Sequence, residues 1–203
     1  MKNEFSKEIW DIWPSRFRAQ FFNSLGGLKT AGLLSTFNSN GKANSAVISQ
    51  IIHIGSSPPS WGFLFRPPTK RHQTYKNILR NPYFSFCLAT SFISAKYLHQ
   101  TSANYNENIS ELDSLNVKWK NHGKYHVPLL LEGDFQLIFK HTQSHIMSNQ
   151  TVLLEAQIIQ VFSSLYPDND GFIDLSKKTL ISSQGTNAYS KADKVEKFPY
   201  AKP

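Results

Sequence analysis

A basic turn opens the stretch RPPTKRHQTYKNILRN, which begins at Arg66 and has residue types that bind phosphate. Two prolines stiffen the turn after an apolar strand, and a helix is predicted to begin near Thr69. The first-turn amides of a helix lack internal partners and can receive an anion, and arginine can hold two phosphate oxygens at once. Lys70, Arg71 and His72 add further donors. The alternative is an ordinary threonine N-cap on a solvated basic turn.

Polar residues also interrupt the apolar stretch NSAVISQIIH. A strand with one buried face should alternate cleanly between polar and apolar residues. The residues that break this alternation are Asn44, Ser45, Ser49, Gln50 and His53. Polar groups on both faces are typical of an edge strand, or of a strand that meets a flat polar ligand. The alternative is a core strand with incidental hydroxyl groups.

A third candidate is the stretch LHQTSA, in which His99, Thr101 and Ser102 are hydrogen-bonding side chains. They could bind a ligand or cap the next helical turn. No G-x-S-x-G elbow is present, so a Ser–His nucleophile pair has little support. The seven histidines lack H-E-x-x-H spacing, which argues against a metal site. No G-x-G-x-x-G follows a strand, which argues against a dinucleotide in a Rossmann crevice.

The composition favours one globular domain: the chain has 203 residues, of which 40% are apolar. The single cysteine, Cys87, excludes an internal disulfide, and its apolar surroundings favour a buried, inert thiol. No apolar stretch has the length of a signal peptide or a membrane span, so we expect a cytoplasmic protein without membrane contact. The net charge of +8 favours anionic ligands. The basic residues are scattered, however, so nucleic-acid binding is the least favoured function class.

Strands in hairpin order with few, short helices predict a mainly β fold, a closed antiparallel barrel with helical decoration. We expect a single domain over 1–203, with the barrel at 28–165, a helical insertion at 94–124 and a surface-wrapping tail at 166–203. The predicted strands are 28–37, 44–54, 61–65, 83–90, 129–141 and 151–162. The predicted helices are 14–25 and 69–80, and polar turns are predicted at 38–41 and 142–150.

Four stretches in register along the chain resemble the flavin reductase-like family, whose members are FMN-binding split β-barrels. They are FFNSLGGLKTAGLLSTFNSNGKANSAVISQIIH, SSPPSWGFLFRPPTKRHQTYKNI, HQTSANYNENISE and SQGTNAYSKADKVEKFPYAKP. The resemblance runs from about Arg16 to the C-terminus. It implies an antiparallel, Greek-key-like split barrel with a few short helices, and a homodimer with the flavin at the interface.

The resemblance also implies three groups of flavin-binding residues. The isoalloxazine ring would lie against Asn44, Ser45, Ala46, Val47, Ile48, Ser49, Gln50 and Ile51, flanked by Thr36 and Asn38. The ribityl phosphate would be held by Arg66, Thr69 and Arg71, with His72 or Gln73. Gln73 intervenes in RHQTY, so Arg71, His72 and Gln73 stay open as alternative phosphate contacts. The exposed side of the flavin, where a nicotinamide or an acceptor would stack, would be near His99, Thr101 and Ser102, with His99 as the candidate nearest the chemistry.

The resulting hypothesis is an FMN-dependent oxidoreductase of the flavin reductase type, which transfers a hydride from NADH or NADPH to flavin. The nicotinamide would bind transiently as a substrate, because the sequence shows no dedicated site for it. The alternative is a flavin-binding or electron-transfer protein without NAD(P)H turnover. Both functions need the same phosphate site, so the sequence leaves them open.

Overall fold

Antiparallel strands dominate the fold, with 38% of the residues in strands and 19% in helices. The structure, a computed structural model, describes residues 2–69, 72–192 and 194–199. The strands are β1 (Lys29–Thr30), β2 (Gly32–Phe37), β3 (Ala43–Ile48), β4 (Ile51–Ser56), β5 (Pro59–Phe65), β6 (Tyr83–Leu88), β7 (Trp119–His122), β8 (Val127–Leu130), β9 (Phe135–Ile146), β10 (Val152–Ser163), β11 (Leu180–Gln184) and β12 (Ala188–Ala192). The helices are α1 (Lys7–Asp11), α2 (Ser15–Leu25), α3 (Gln73–Arg80), α4 (Ala95–Gln100), α5 (Glu111–Ser114) and a 3₁₀ helix at Leu175–Lys178. Within these described ranges, no helix is both long and apolar enough to cross a membrane.

Seven strands form one antiparallel sheet in the order β3-β2-β6-β9-β10-β5-β4. β3 and β4 follow each other in the chain yet lie at opposite edges of this sheet, joined only by the two-residue link of Ser49 and Gln50. The Leu64 N–H donates to the Gln50 carbonyl oxygen at 2.9 Å, so the link is itself bonded to β5. The predicted mainly β split barrel is confirmed.

The prediction of one strand over 44–54 is wrong. Ala43–Ile48 pairs with β2, whereas Ile51–Ser56 pairs with β5, and the two-residue link between them belongs to neither ladder. The chain changes its pairing partner here because it passes from one edge of the barrel sheet to the other. The irregular polar pattern of this stretch therefore coincides with the place where the chain crosses between the two edges of the sheet.

Other predicted boundaries also differ from the structure. The strand predicted over 28–37 is divided into β1, which pairs with β11, and β2, which pairs with β3 and β6. The helix predicted over 69–80 begins at Gln73, with His72 as its N-cap residue. The strand predicted over 129–141 is divided into β8 and β9 by a turn. β9 also continues through much of the predicted turn at 142–150, because it stays paired with β10 as far as the Ile146–Val152 pair.

The predicted insertion and tail contain strands as well as helices. The segment 94–124 includes α4, α5 and β7, and β7 pairs with β8. In the tail, β11 and β12 form a three-stranded sheet with β1. The Thr186 N–H between these tail strands donates to Gln20 Oε1 at 2.8 Å, which brings the tail beside α2.

Aromatic rings fill the interior of the barrel. Phe84 and Phe139 stack with their centroids 5.4 Å apart, and Phe63 meets Phe139 edge-on at 5.0 Å. All three side chains are fully buried. Such pairs contribute about 0.5–1.5 kcal/mol each beyond the burial of their surface. These contacts pack β5, β6 and β9 against one another.

Candidate functional site

A cleft of about 980 Å³ opens where the edge strand β3 meets the start of α3 and the end of α4. Its walls also include the two-residue link, the end of β5, α5 and the turn between β11 and β12. The side of α2 reaches the same cleft through Asn23. In the part of the chain that the structure describes, no group of three metal-ligating side chains occurs.

The cleft brings together residues from all three predicted groups. The predicted residues that line it are Asn44, Ala46, Val47, Ile48, Ser49, Gln50, Arg66, His72, Gln73, His99, Thr101 and Ser102. Those that do not line it are Thr36, Asn38, Ser45, Ile51 and Thr69. Arg71 falls outside the described residues.

Two of the residues that do not line the cleft are buried behind its wall. Thr36 Oγ1 accepts a hydrogen bond from Asn77 Nδ2 at 2.9 Å. Ser45 Oγ shares a hydrogen bond of 2.8 Å with Ser35 Oγ between β3 and β2. Both hydroxyl groups therefore join β2 to its neighbours, and neither residue lines the cleft.

The other three serve the turns and the core around the cleft. Asn38 Oδ1 accepts the Lys42 N–H at 2.9 Å, which closes the turn between β2 and β3. Ile51 packs against the barrel core at the start of β4. The Thr69 N–H donates to His72 Nδ1 at 3.3 Å, so Thr69 supports the loop before α3 instead of capping the helix.

Unpaired backbone amides mark the α3 end of the cleft. The N–H groups of Gln73, Thr74 and Tyr75 meet no acceptor among the described residues, and the first backbone bond of the helix is Lys76 N–H to the His72 carbonyl oxygen. The side chain of His72 makes no capping bond to them. Such amides carry the positive end of the helix dipole, so this end of the cleft is suited to an anion.

His72 lies in a positive environment at this end of the cleft. Partial burial lowers the pKa of His72, and the nearby positive charges of Arg66 and Lys76 lower it further. Arg66 and His72 both line the cleft. An anion bound here would face the Arg66 guanidinium as well as the free amides of α3.

The outer edge of β3 is held by side chains from the insertion. Its strand partner, β2, occupies the other edge, so the outward N–H groups of β3 need other acceptors. The Ser45 N–H donates to Glu111 Oε2 at 2.9 Å, and the Val47 N–H donates to Thr101 Oγ1 at 2.9 Å. In the described chain the N–H of Ser49, the next residue in this alternation, meets no acceptor. The Ser49 N–H can therefore donate a hydrogen bond to a ligand in the cleft.

Glu111 is a site residue that the sequence reasoning missed. Its side chain is 6% exposed, and Oε1 accepts a second hydrogen bond from Asn44 Nδ2 at 3.0 Å. Burial raises the pKa of Glu111, whereas its hydrogen bonds with Ser45 and Asn44 oppose that shift. The residue occurs in a polar insertion with no motif spacing, so only its contact with β3 reveals it.

Tyr189 was missed as well, because the tail was expected only to wrap the surface. Its hydroxyl group lies 3.2 Å from His99 Nδ1, and both residues line the cleft. Burial raises the pKa of Tyr189, which keeps the phenol protonated. The pair joins β12 to α4 across one side of the cleft. No local pattern in the sequence could have paired residues so far apart.

Comparison by sequence alone identifies no relative: no protein-family model matches the chain, and no curated protein sequence matches it significantly. Comparison of structures finds proteins with a similar fold. A 2-nitrobenzoate 2-nitroreductase from Pseudomonas fluorescens has a TM-score of 0.81 at 16% identity, covering 99% of this chain and 98% of that one. An FMN-binding protein from Thermus thermophilus has a TM-score of 0.67 at 15% identity, covering 84% and 90%. At these identities the likeness shows the fold alone.

A further solved structure is similar in sequence as well as in fold. It is a protein from Shewanella frigidimarina named as a flavin reductase with a split barrel domain, and it is 31% identical to this chain. The match covers 98% of this chain and 100% of that one, with a TM-score of 0.91. Similarity at this level over the whole chain, together with the shared barrel, shows that the chain belongs to the flavin reductase-like family of split β-barrel proteins.

Proposed function

We propose that the cleft binds FMN and that the protein transfers a hydride from NADH or NADPH to the flavin. The observation that carries this proposal is the set of free α3 amides beside Arg66, at one end of a cleft whose long wall is a strand edge. A phosphate needs several converging donors, and a planar ring needs a flat wall with a few hydrogen-bonding groups. The donor set and the wall fit both parts of FMN.

Bound FMN would supply the hydride chemistry, accepting a hydride from the nicotinamide and passing electrons to an acceptor. The chain would bind and orient the reactants. Arg66 and the first-turn amides of α3 would hold the phosphate, and the free N–H of Ser49 would meet the polar edge of the ring. Thr101 and Glu111 would keep β3 in place by occupying its other outward amides.

The side of the cleft formed by α4 and β12 would admit the hydride donor. His99 and Ser102 line the cleft here, and Ser102 Oγ donates to the His99 carbonyl oxygen at 2.7 Å. Tyr189 holds the His99 ring from the other side. The donor would therefore meet the hydrogen-bonding side chains of His99, Ser102 and Tyr189 instead of a second phosphate site, in keeping with a substrate that binds transiently.

The decisive experiment is the visible absorption spectrum of the purified protein, followed by identification of any chromophore released on denaturation. We expect the spectrum of an oxidised flavin, with FMN as the released species, or saturable binding of added FMN. NADH and NADPH are then added separately without oxygen. Bleaching of the flavin band by either nucleotide at a rate above that of free FMN would support the enzyme.

Two results would contradict this proposal in different ways. A protein that carries no flavin and fails to bind added FMN would remove the cofactor and the reaction together. A protein that retains FMN but is reduced by neither nucleotide would be a flavin-binding or electron-transfer protein instead. Steady-state oxidation of NADH and NADPH with FMN, FAD or riboflavin as acceptor would then show whether free flavin restores turnover.

We also propose that the protein is a cytoplasmic homodimer, in which a second copy covers the N-terminal helices. Neither α1 nor α2 has a buried residue, and Ile12 and Leu25 are 84% and 68% exposed. Phe5, Trp13 and Phe21 pack edge-on against each other beside this apolar surface. Light scattering during size-exclusion chromatography should give twice the 23.1 kDa mass of the chain. A monomer at micromolar concentration would contradict this assembly.

A further inference from the structure

Ionised Glu111 would place a negative charge against the wall of the proposed flavin site, and its hydrogen bonds with Ser45 and Asn44 favour that ionised form against the effect of burial. Both of its carboxylate oxygens accept hydrogen bonds from N–H groups, Oε2 from the Ser45 amide and Oε1 from Asn44 Nδ2. An ionised carboxylate is purely an acceptor and suits two N–H donors. No ion pair involves Glu111 in the described part of the chain. The charge is therefore hydrogen-bonded but not neutralised.

The remaining charged groups of the cleft are placed differently. Arg66 and His72 lie where β5 leads into α3, and Glu107, which is exposed, accepts a hydrogen bond from Gln73 Nε2 at 3.0 Å. His99 is engaged with Tyr189 on the opposite side. Of the acidic groups that the structure describes in the cleft, Glu111 alone is buried. Burial reduces solvent screening, so its charge acts more strongly on a neighbouring ligand than the charge of Glu107.

We propose that Glu111 lowers the reduction potential of the flavin bound in this cleft. The inference rests on the proposed function. A hydride brings one proton and two electrons, so its transfer from NADH converts the neutral oxidised ring into a reduced ring with one negative charge, and NAD⁺ leaves with the positive charge. A buried carboxylate beside the ring disfavours that new charge. The reduced flavin is thereby made a stronger donor to whichever acceptor follows.

The variant Glu111→Gln removes the charge and keeps the size of the side chain. We expect it to raise the potential of bound FMN, because the variant should bind reduced FMN about tenfold more tightly relative to oxidised FMN. For a two-electron couple, a tenfold change corresponds to about 30 mV. Equilibrium titration against a reference dye measures this potential without turnover. Glu111→Asp keeps the charge and should stay close to the wild-type potential.

Glu107→Gln is the matched control, because it removes an exposed carboxylate from the same cleft and should leave the potential unchanged. Equal potentials in the wild type and Glu111→Gln would overturn the inference while leaving the proposed function intact. A wild type that does not bind FMN would overturn both. An equal rise in Glu111→Gln and Glu107→Gln would assign the effect to the general charge of the cleft, and this too would overturn a specific role for Glu111.

A measurement on the wild type covers the case in which Glu111→Gln does not fold. Because coupling between two sites is reciprocal, reduction of the flavin should raise the pKa of Glu111. Carbon-13 NMR of the glutamate side-chain carboxyl groups can follow the titration of Glu111 in the oxidised and reduced protein. A higher pKa in the reduced protein supports the coupling, and identical titrations in the two states would overturn it.

Discussion

The hydroxyl oxygen of Thr101 accepts the Val47 N–H at 2.9 Å, and the same hydroxyl group donates to the Leu98 carbonyl oxygen at 2.8 Å. Thr101 is 2% exposed, so neither bond has water as a ready substitute. One side chain thus satisfies an amide of the edge strand and a carbonyl group at the end of α4. This contact joins the insertion to the wall of the cleft.

Replacing Thr101 with valine should destabilise the protein, because the partly buried Val47 N–H would lose its acceptor. The shape of the side chain is retained, so the cost should be that of an unsatisfied buried donor, about 1–3 kcal/mol. Urea denaturation at equilibrium measures the free energy of unfolding. The neighbouring variant Ser102→Ala, at an exposed position, should change it by less than about 0.5 kcal/mol. Equal effects of the two variants would contradict a special role for the Thr101–Val47 bond.

Replacing Arg66 with alanine should weaken FMN binding by about 1.5–3 kcal/mol, the usual contribution of a hydrogen bond to a charged group. Riboflavin, which has no phosphate, should bind almost equally well to the variant and the wild type. Quenching of flavin fluorescence on binding gives both dissociation constants. If the two ligands lose affinity equally, Arg66 supports the structure of the turn and does not contact phosphate.

His72 should make the stability of the ligand-free protein depend on pH. Burial, Arg66 and Lys76 lower the pKa of His72 from 6.5, so the unfolded chain binds the proton more readily than the folded one. The stability that neutral His72 allows is therefore present above pH 6.5 and is lost as the pH falls through the lower, folded-state value. Well above pH 6.5, the difference between the urea midpoints of the wild type and His72→Gln should become constant, because His72 is then neutral in both the folded and the unfolded chain.

The comparison of slopes below pH 6.5 provides the test for His72. The wild type should lose stability more steeply than His72→Gln as the pH falls, because glutamine does not titrate. Parallel curves for the two proteins would show that protonation of His72 costs the folded state nothing. Added phosphate should flatten the wild-type curve, since an anion at this end of the cleft favours the protonated imidazole.

Replacing Gly32 with alanine should destabilise the barrel where β2 pairs with β6. An added Cβ would lie 2.5 Å from the carbonyl oxygen of Cys87 and 2.3 Å from Phe86 Cζ. Overpacking of this kind costs about 1–3 kcal/mol, which thermal or urea denaturation would detect. Gly123→Ala is the control, because nothing lies within 4 Å of its added Cβ. Similar unfolding curves for Gly32→Ala and the wild type would mean that the two strands can separate at little cost.

Local sequence patterns predicted those parts of the fold and site that depend on neighbouring residues. Predicted strands in hairpin order indicated the mainly β barrel, which the structure confirms, and the basic turn indicated either an anion site or an ordinary solvated turn. Arg66 and Gln50 line one cleft, although they are distant in the sequence, because the barrel places the link beside the end of β5. The family resemblance supplied that spatial relationship, which the spacing of residues alone does not contain.

The rest depends on contacts between distant segments. Glu111 and Tyr189 occur in polar stretches, where nothing distinguishes them from solvated residues until the insertion meets β3 and the tail meets α4. The division of 44–54 into two strands was also hidden, because each half is a plausible strand by itself. Its cause is the sheet order, which brings the two halves to opposite edges.

The two-residue link ties the cleft to the order in which the chain can fold. β3 needs only β2 beside it, but β4 takes its place through β5, which pairs with β10. β5 and β4 therefore take their places in the sheet only after residues as far along as Gln157 have joined it. A nascent chain released from the ribosome too early would have the basic turn and the β3 residues but no closed pocket. Binding of any ligand in the cleft would accordingly be a late event in biosynthesis, and an excess of that ligand would favour the folded chain by mass action.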